Sequence, residues 1–399
     1  MDSAEREGLR PKGNVPNLRF PEFQGEWEKC TLGNNVKIQG GYAFKSELFL
    51  RKGIPIIRIS NLPQNASFVD LDDCTYYKEG NYNSFEVHNG DLLIAMSGAT
   101  TGKTAIYNKK TLAYLNQRVG LFKSTNSDSL YYPFLYAFVS TPVFKRQLST
   151  RLIAGAQPNI SSSDIESIRI SIPQKTSEQE KIAHLMLLLD KRIAAQNKII
   201  NKLQSLIKGI VDCTILRKEK NAIVADVCSI SEQIRAEANI DDIITVRLHG
   251  RGVCKSSAEN LQLGATQYYR RRAGQLIYGK QNFHNGAIGI VPQSLDNGIT
   301  SKDIPSFDIY DMKCNSVYLL AQLQSPQYYK PAEALTTGTG SKRLKEDTFL
   351  KMPIVLPDKR EQDKIATLIF RISANLDQAK KVLDLFSIQK QYLLRQMFI

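Results

Sequence analysis

The segment TSEQEKIAHLMLLLDKRIAAQNKIINKLQSLIKGIVDC, residues 176 to 213, decides the fold. Written as heptads, it places Met186, Ile193, Ile200 and Ile207 at the a positions and Ile182, Leu189, Gln196, Leu203 and Ile210 at the d positions. Apolar side chains recurring at three and four residues predict an amphipathic helix with one buried seam. The pattern returns near the end of the sequence. There Ile369, Leu376, Leu383 and Lys390 take the a positions, and Ile365, Ile372, Ala379, Phe386 and Leu393 the d positions, 183 residues after their counterparts. Two matching seams in one chain predict that the copies pair as a coiled coil. Two core helices inside one large domain would not need a register shared over this length.

Both helices announce their starts locally. Ser177 with Glu180, and Asp358 with Glu361, stand three residues apart shortly after Pro173 and Pro357. That is the spacing of a capping box, in which a side-chain oxygen satisfies an exposed helix N–H. At 1.5 Å per residue, such a helix reaches roughly 50 Å, enough to hold two globular bodies apart. Polar residues interrupt or flank the seam at Gln196 and Asn375, and Lys390 occupies an a position. Lysine there predicts a distal end that frays or takes up a partner.

Outward from the helices, the chain divides into a mobile lead at 1–15, a domain at 16–173, the first helix at 174–216, a second domain at 217–356 and the second helix at 357–399. In the first domain Trp27 precedes a short strand-like run, and IPIIRIS at 54 and DLLIAM at 91 read as strands between polar turns. Tyr131 to Leu148 reads as helical, with Pro133 near its start and Pro142 breaking it. The second domain repeats this order. Arg58 in IIRISN answers Arg247 in ITVRLH, GDLLIAM at 90 answers GQLIYGK at 274, GKTAIY at 102 answers GAIGIV at 286, and STP at 140 answers QSP at 324. The expected fold class is mixed α/β (α+β): two repeated globular domains separated by a coiled coil of two long helices.

Composition narrows the function. Fifty-three Lys and Arg against thirty-nine Asp and Glu give a net charge of +14 in 399 residues, which favours a polyanionic partner. A membrane surface would satisfy the charge too, but no apolar run approaches the roughly 18 residues of a spanning helix. The first residues, MDSAEREGLRPKG, lack the apolar run of an export signal, so a cytoplasmic location is expected. Six cysteines and four histidines are scattered without CxxC or zinc-ligand spacing, predicting neither disulfides nor a metal site.

Two stretches resemble catalytic motifs and fail on spacing. SGATTGKTA at 97–105 ends like a phosphate loop, but only three residues separate Gly98 from Gly102 where four are needed, and the following AIYNKKTLAY reads as strand and turn. Its Lys103 suits contact with a phosphate of nucleic acid instead. Asp358, Glu361 and Asp363 offer the carboxylates of a nuclease metal site, but they crowd a helix N-terminus, where carboxylates cap and offset the dipole. No Asn/Asp-Pro-Pro-aromatic run for amino methylation and no glycine-rich cofactor fingerprint is found. The chain is expected to have no catalytic residues and no metal or cofactor of its own.

A DNA-binding pattern falls instead in comparable loops of both halves. In the first these are Arg58, Asn61, Lys103, Thr104, Asn116, Gln117, Arg118, Gln157 and Asn159. In the second they are Arg247, His249, Arg251, Tyr268, Tyr269, Arg270, Arg271, Arg272, Lys280, Gln281, Asn282, Lys342 and Arg343. Arg and Lys suit guanine edges, Asn and Gln adenine edges, and lysines and hydroxyls phosphates. Three adjacent arginines cannot all face one groove edge, so Arg270 to Arg272 read as phosphate-binding. Two loops ahead of the long helices, GAQPNIS at 155 and GTGSKRL at 338, share place and glycine, suiting a hinge or a DNA contact.

The opening PNLRFPEFQGEWEKCTLG, these two loops, and the helix starts IPQKTSEQEKIA and LPDKREQDKIA together resemble the specificity subunits of type I restriction-modification systems. The resemblance spans Pro16 to Ile399. It implies two target-recognition domains that each read half of a split sequence in double-stranded DNA, held apart by an antiparallel coiled coil. It also implies two docked modification subunits, which bring S-adenosylmethionine and methylate adenine, and restriction subunits that add ATP- and Mg-dependent translocation and cleavage. From the residues alone, a coiled-coil adaptor whose duplicated domains bind proteins is the competing reading.

Overall fold

A computed structural model describes residues 13–63, 68–152, 158–256, 266–338 and 342–399. Most of the predicted lead, Gln157 and parts of both glycine loops lie outside the described residues. The chain resolves into two units, Met1–Lys198 with Lys380–Ile399, and Ile199–Ala379. The long helices run Thr176–Val211 and Lys359–Gln396, so each gives one end to each unit.

Within the first unit Ile182, Ala183, Met186 and Leu189 share a core with Leu394, Met397 and Phe398. Arg192 lies over the Phe386 ring at 5.8 Å, and Lys390 pairs with Asp190. Within the second, Val211 and Ile215 pack with Ile365, Ala366 and Ile369. Numbering rises on one helix as it falls on the other, so the packing is antiparallel. Ile182, Met186, Leu189, Ile200, Ile365, Ile369, Ile372 and Leu376 are buried, and Ile193, Leu203, Ile207, Ile210, Leu383, Phe386 and Leu393 half-buried. Lys390 corrects the reading of a frayed or partner-seeking end: its side chain, 12% exposed, turns inward to the Asp190 carboxylate.

The helix starts differ from their predicted form at one end. Asp358 caps the second helix, its Oδ1 accepting from the Glu361 N–H at 2.8 Å. The first helix begins at Thr176, which places Ser177 inside the first turn and not at the cap. The predicted helix at 131–148 is two helices, Phe134–Phe138 and Pro142–Leu152. Pro142 opens the second, where its missing N–H needs no partner.

Each unit has its own four-stranded sheet, built in the same strand order. Strands Val36–Gly40, Val119–Ser124, Leu92–Ala95 and Thr104–Ile106 lie in that order, all antiparallel, in the first unit. Cys228–Ile230, Ser306–Ile309, Leu276–Tyr278 and Ile288–Ile290 repeat the order in the second. A strand pair ties each domain's beginning to its end: Glu28–Thr31 with Arg169–Ile172, and Ala222–Ile223 with Pro353–Ile354. The duplication read from weak motifs is therefore a duplication of topology. Divergence lies in the remaining strands, where the first unit adds a mixed four-stranded sheet around Ile54–Ile57 and the second a three-stranded sheet around Tyr268–Arg270. Each core is aromatic. Trp27 meets Phe134 and Phe398 edge-on at 6.1 and 6.2 Å, and Tyr278, Phe283, Phe307 and Phe349 pack together in the second unit. Burying each such ring contributes roughly 1.5–3 kcal/mol.

Candidate nucleic-acid interface

In the first unit the backbone draws four turns of the candidate set together. Asn116 N–H donates to Ile57 O at 3.1 Å, joining the 116–118 turn to Arg58, and Met96 N–H donates to Arg118 O at 2.9 Å. Ile160 N–H donates to Met96 O at 3.0 Å, bringing Asn159 alongside. Arg58, Gln117, Arg118 and Asn159 are exposed, and Lys103, Thr104 and Asn116 half-buried. Side-chain donors and acceptors of mixed type thus line one continuous edge.

The 97–105 segment is part of this edge and makes no nucleotide cradle, because strand Thr104–Ile106 follows it where a phosphate loop requires a helix. Thr101 Oγ1 instead donates to Gly98 O at 2.7 Å and also bonds Pro158 O, pinning the 158–160 turn. Gly102 has φ +86°, and a Cβ there would lie 2.4 Å from Leu148 Cδ2, so only glycine fits.

The second unit repeats the frame with other side chains. Lys280 N–H donates to Asp303 O and Leu344 N–H to Lys280 O, both at 2.9 Å. Met96, Arg118 and Asn159 of the first frame thus answer Lys280, Asp303 and Arg343 of the second. His249, at φ +60°, joins this region through its N–H to Asn285 O at 2.8 Å. Arg247, His249, Arg251, Arg270, Arg272, Gln281, Asn282, Lys342 and Arg343 are exposed, and Tyr269 is half-buried.

Several candidates prove to be structural or engaged. Asn61 is buried, its Oδ1 accepting from Arg58 N–H and its Nδ2 donating to Asp70 O, both at 2.9 Å, so it closes the turn that presents Arg58. Tyr268 is buried with Ile243 and Ile299. Arg271 is fully buried: it donates to Thr300 Oγ1 at 2.7 Å, Ser306 Oγ at 3.0 Å, Ile304 O at 2.9 Å and Gln233 Oε1 at 3.3 Å. Burial pushes its guanidinium down to about 10. It cannot meet phosphate, and the arginine run splits into one scaffold residue and two outward cations. Lys280 pairs with Glu346 at 2.6 Å, Lys342 with Glu333 at 2.8 Å and Arg343 with Asp303 at 3.1 Å. The last two are exposed pairs that a phosphate can displace at little cost. The carboxylates of Asp303 and Glu346 went unnoticed in the sequence because they lie 40 and 66 positions from their partners along the chain.

The acids of the nuclease-like cluster are likewise occupied: Asp363 accepts from Asn315 Nδ2 at 2.8 Å, and Glu361 pairs with Lys218. Among the described residues no group of His, Cys, Asp and Glu is arranged to hold a metal ion.

The family described as "Type I restriction modification DNA specificity domain" matches residues 24–205. The type I restriction enzyme MjaVIII specificity subunit of Methanocaldococcus jannaschii is 28% identical over 209 residues, covering 49% of this chain and 47% of that protein. This chain is thus similar to type I specificity subunits over about half of its length. A second such subunit, EcoAI of Escherichia coli, is 29% identical over 186 residues, 45% of this chain and 30% of the relative. The matches thus span less than half the length of either relative. A crystal structure of the S subunit of a type I restriction-modification system from M. genitalium has the same fold, with a TM-score of 0.67 at 14% identity over 96% of this chain and 99% of that one. No helix among the described residues is long and apolar enough to cross a membrane.

Proposed function

We propose that this chain recognises a bipartite sequence in duplex DNA, one half through each unit's loop edge, and performs no catalysis itself. The observation that carries this reading is the repeated frame: one set of main-chain hydrogen bonds presents Arg118 and Asn159 in one unit and Asp303 and Arg343 in the other. A shared frame with different polar side chains suits two readers of different sequences, and the net charge of +14 suits the phosphate backbone. In this reading the long helices hold the recognition domains, proposed at 16–173 and 217–356, apart. They also dock two modification subunits that supply S-adenosylmethionine for adenine methylation. Restriction subunits bring ATP and Mg, and the assembly works in the cytoplasm.

The test uses the full chain. It is expected to bind duplex DNA with affinity that falls steeply with salt, the logarithmic slope being about 0.9 per phosphate neutralised. Methyl transfer is expected only after a modification subunit is added. Transfer by the chain alone would sink the reading, and salt-insensitive binding to an acidic protein without a DNA footprint would favour the adaptor instead.

Two substitutions separate the half-sites. Arg58→Ala is expected to relax base preference in one half and Arg247→Ala in the other, each lost base contact costing about 1–3 kcal/mol. Methylation mapping in a host carrying each variant with its partner subunits reads this directly. Uniform weakening at every sequence would make them phosphate contacts.

A further inference from the structure

Each long helix carries a buried glutamine in its first turns. Gln179 is 0% exposed and Gln362 1%. Gln179 Nε2 donates to Ser129 O at 2.9 Å and Pro173 O at 2.8 Å, while its Oε1 accepts from Tyr131 N–H at 2.8 Å. Gln362 Nε2 donates to Lys313 O at 3.1 Å and Pro357 O at 2.8 Å, while its Oε1 accepts from Asn315 N–H at 2.9 Å. The partners correspond one for one at a spacing of 184 residues: Ser129 with Lys313, Tyr131 with Asn315, and Pro173 with Pro357.

Those partners lie on the segment entering the domain's own helices, Phe134–Phe138 or Ser316–Leu323, and on the proline linker entering the long helix. One amide therefore cross-links domain and helix in each unit. With both ends engaged it cannot turn without breaking several hydrogen bonds together, and burial denies water as a substitute. Because every partner is main chain, the link tolerates Ser129 in one half and Lys313 in the other. Neighbouring contacts at the helix starts do not repeat. Glu178 is buried against Arg19, with both N–O distances 2.7 Å, and accepts from Trp27 Nε1 at 3.2 Å; its counterpart Glu361 lies at the surface with Lys218.

We propose that Gln179 and Gln362 are positioning residues that fix the angle between each recognition domain and its helix, and thereby the gap between the half-sites. The inference rests on the bipartite reading above. A domain that shifts by about 3.4 Å along the duplex lands on the next base pair, so a loosened junction admits neighbouring gaps without altering the bases read.

The test is to express the full chain with its modification subunits and map methylated adenines for wild type, Q179A, Q362A, and the volume-keeping Q179M and Q362M. Both alanine variants and both methionine variants are expected to keep the half-site bases and to methylate gaps one base pair longer or shorter at least tenfold more than wild type does. Equal behaviour of the two positions is part of the expectation, since they lie in halves that read different sequences. Reduced methylation at the original gap alone would mark a merely structural role and overturn the inference, as would altered bases in one half-site. A wild type that marks no two-part target would overturn the functional reading, and the inference with it.

Discussion

Removing one heptad from each long helix, residues 193–199 and 381–387, is expected to shorten the preferred gap by about 3 base pairs. Seven residues contribute about 10.5 Å of helix, and each base pair rises about 3.4 Å. The deletion takes Ile193 and Gln196 from one seam and Leu383 and Phe386 from the other. Because the repeat is seven residues, the remaining a and d positions resume in phase, and the Asp190–Lys390 pair beside the cut is retained. The coil face turns by only about 20° per heptad, whereas 3 base pairs turn the duplex by about 100°. Methylation at the new gap is therefore expected below the parental level. Mapping modified adenines checks both statements, and an unchanged gap would show that the helices do not act as the ruler.

Arg271→Ala is expected to destabilise the second unit by about 3 kcal/mol or more. The side chain fills a site with no exposure and bridges Thr300, Ser306, Ile304 and Gln233, none of which offers a carboxylate. Truncation leaves a cavity where those hydrogen bonds were, two of the mechanisms that produce large losses. Arg271→Met keeps most of the volume and removes a charge that burial already disfavours, so it is expected to lose less. Denaturant unfolding, with hydrogen exchange read on strands Tyr268–Arg270 and Ser306–Ile309, measures both variants. Trp27, the sole tryptophan, reports on the first unit and serves as the internal reference. An alanine variant as stable as wild type would show that the bridge contributes nothing net.

The coiled coil was legible because a seven-residue repeat is a local property, written twice in one register. The repeated sheet was legible because GDLLIAM and GQLIYGK keep their glycine and their buried strand through divergence. Side-chain direction was not. Three consecutive arginines give no sign that the middle one turns inward, since that depends on strands brought in from residues 299–309. Asn61 carries the residue type of an adenine reader, but a short turn captured its amide first. The partners of Lys280, Arg343 and Lys390 sit 66, 40 and 200 positions away, so charge pairing read from composition left these cations spuriously free. Gln179 and Gln362 did have a signal, the EQ dipeptide common to EQEKIA and EQDKIA. Its meaning needed the main-chain partners to be in view.

The core around Trp27 carries an implication for synthesis. Its ring lies against Phe398, and Leu18 N–H donates to Gln396 O at 2.9 Å, so residues from opposite ends of the sequence complete one hydrophobic interior. The second unit is continuous from Ile199 to Ala379 and emerges whole from the ribosome before that interior can close. The inserted unit therefore has the means to fold first, while the seam of Ile182, Met186 and Leu189 waits uncovered for the last helix. The vulnerable species in this pathway is the nascent chain with its first-made domain still open.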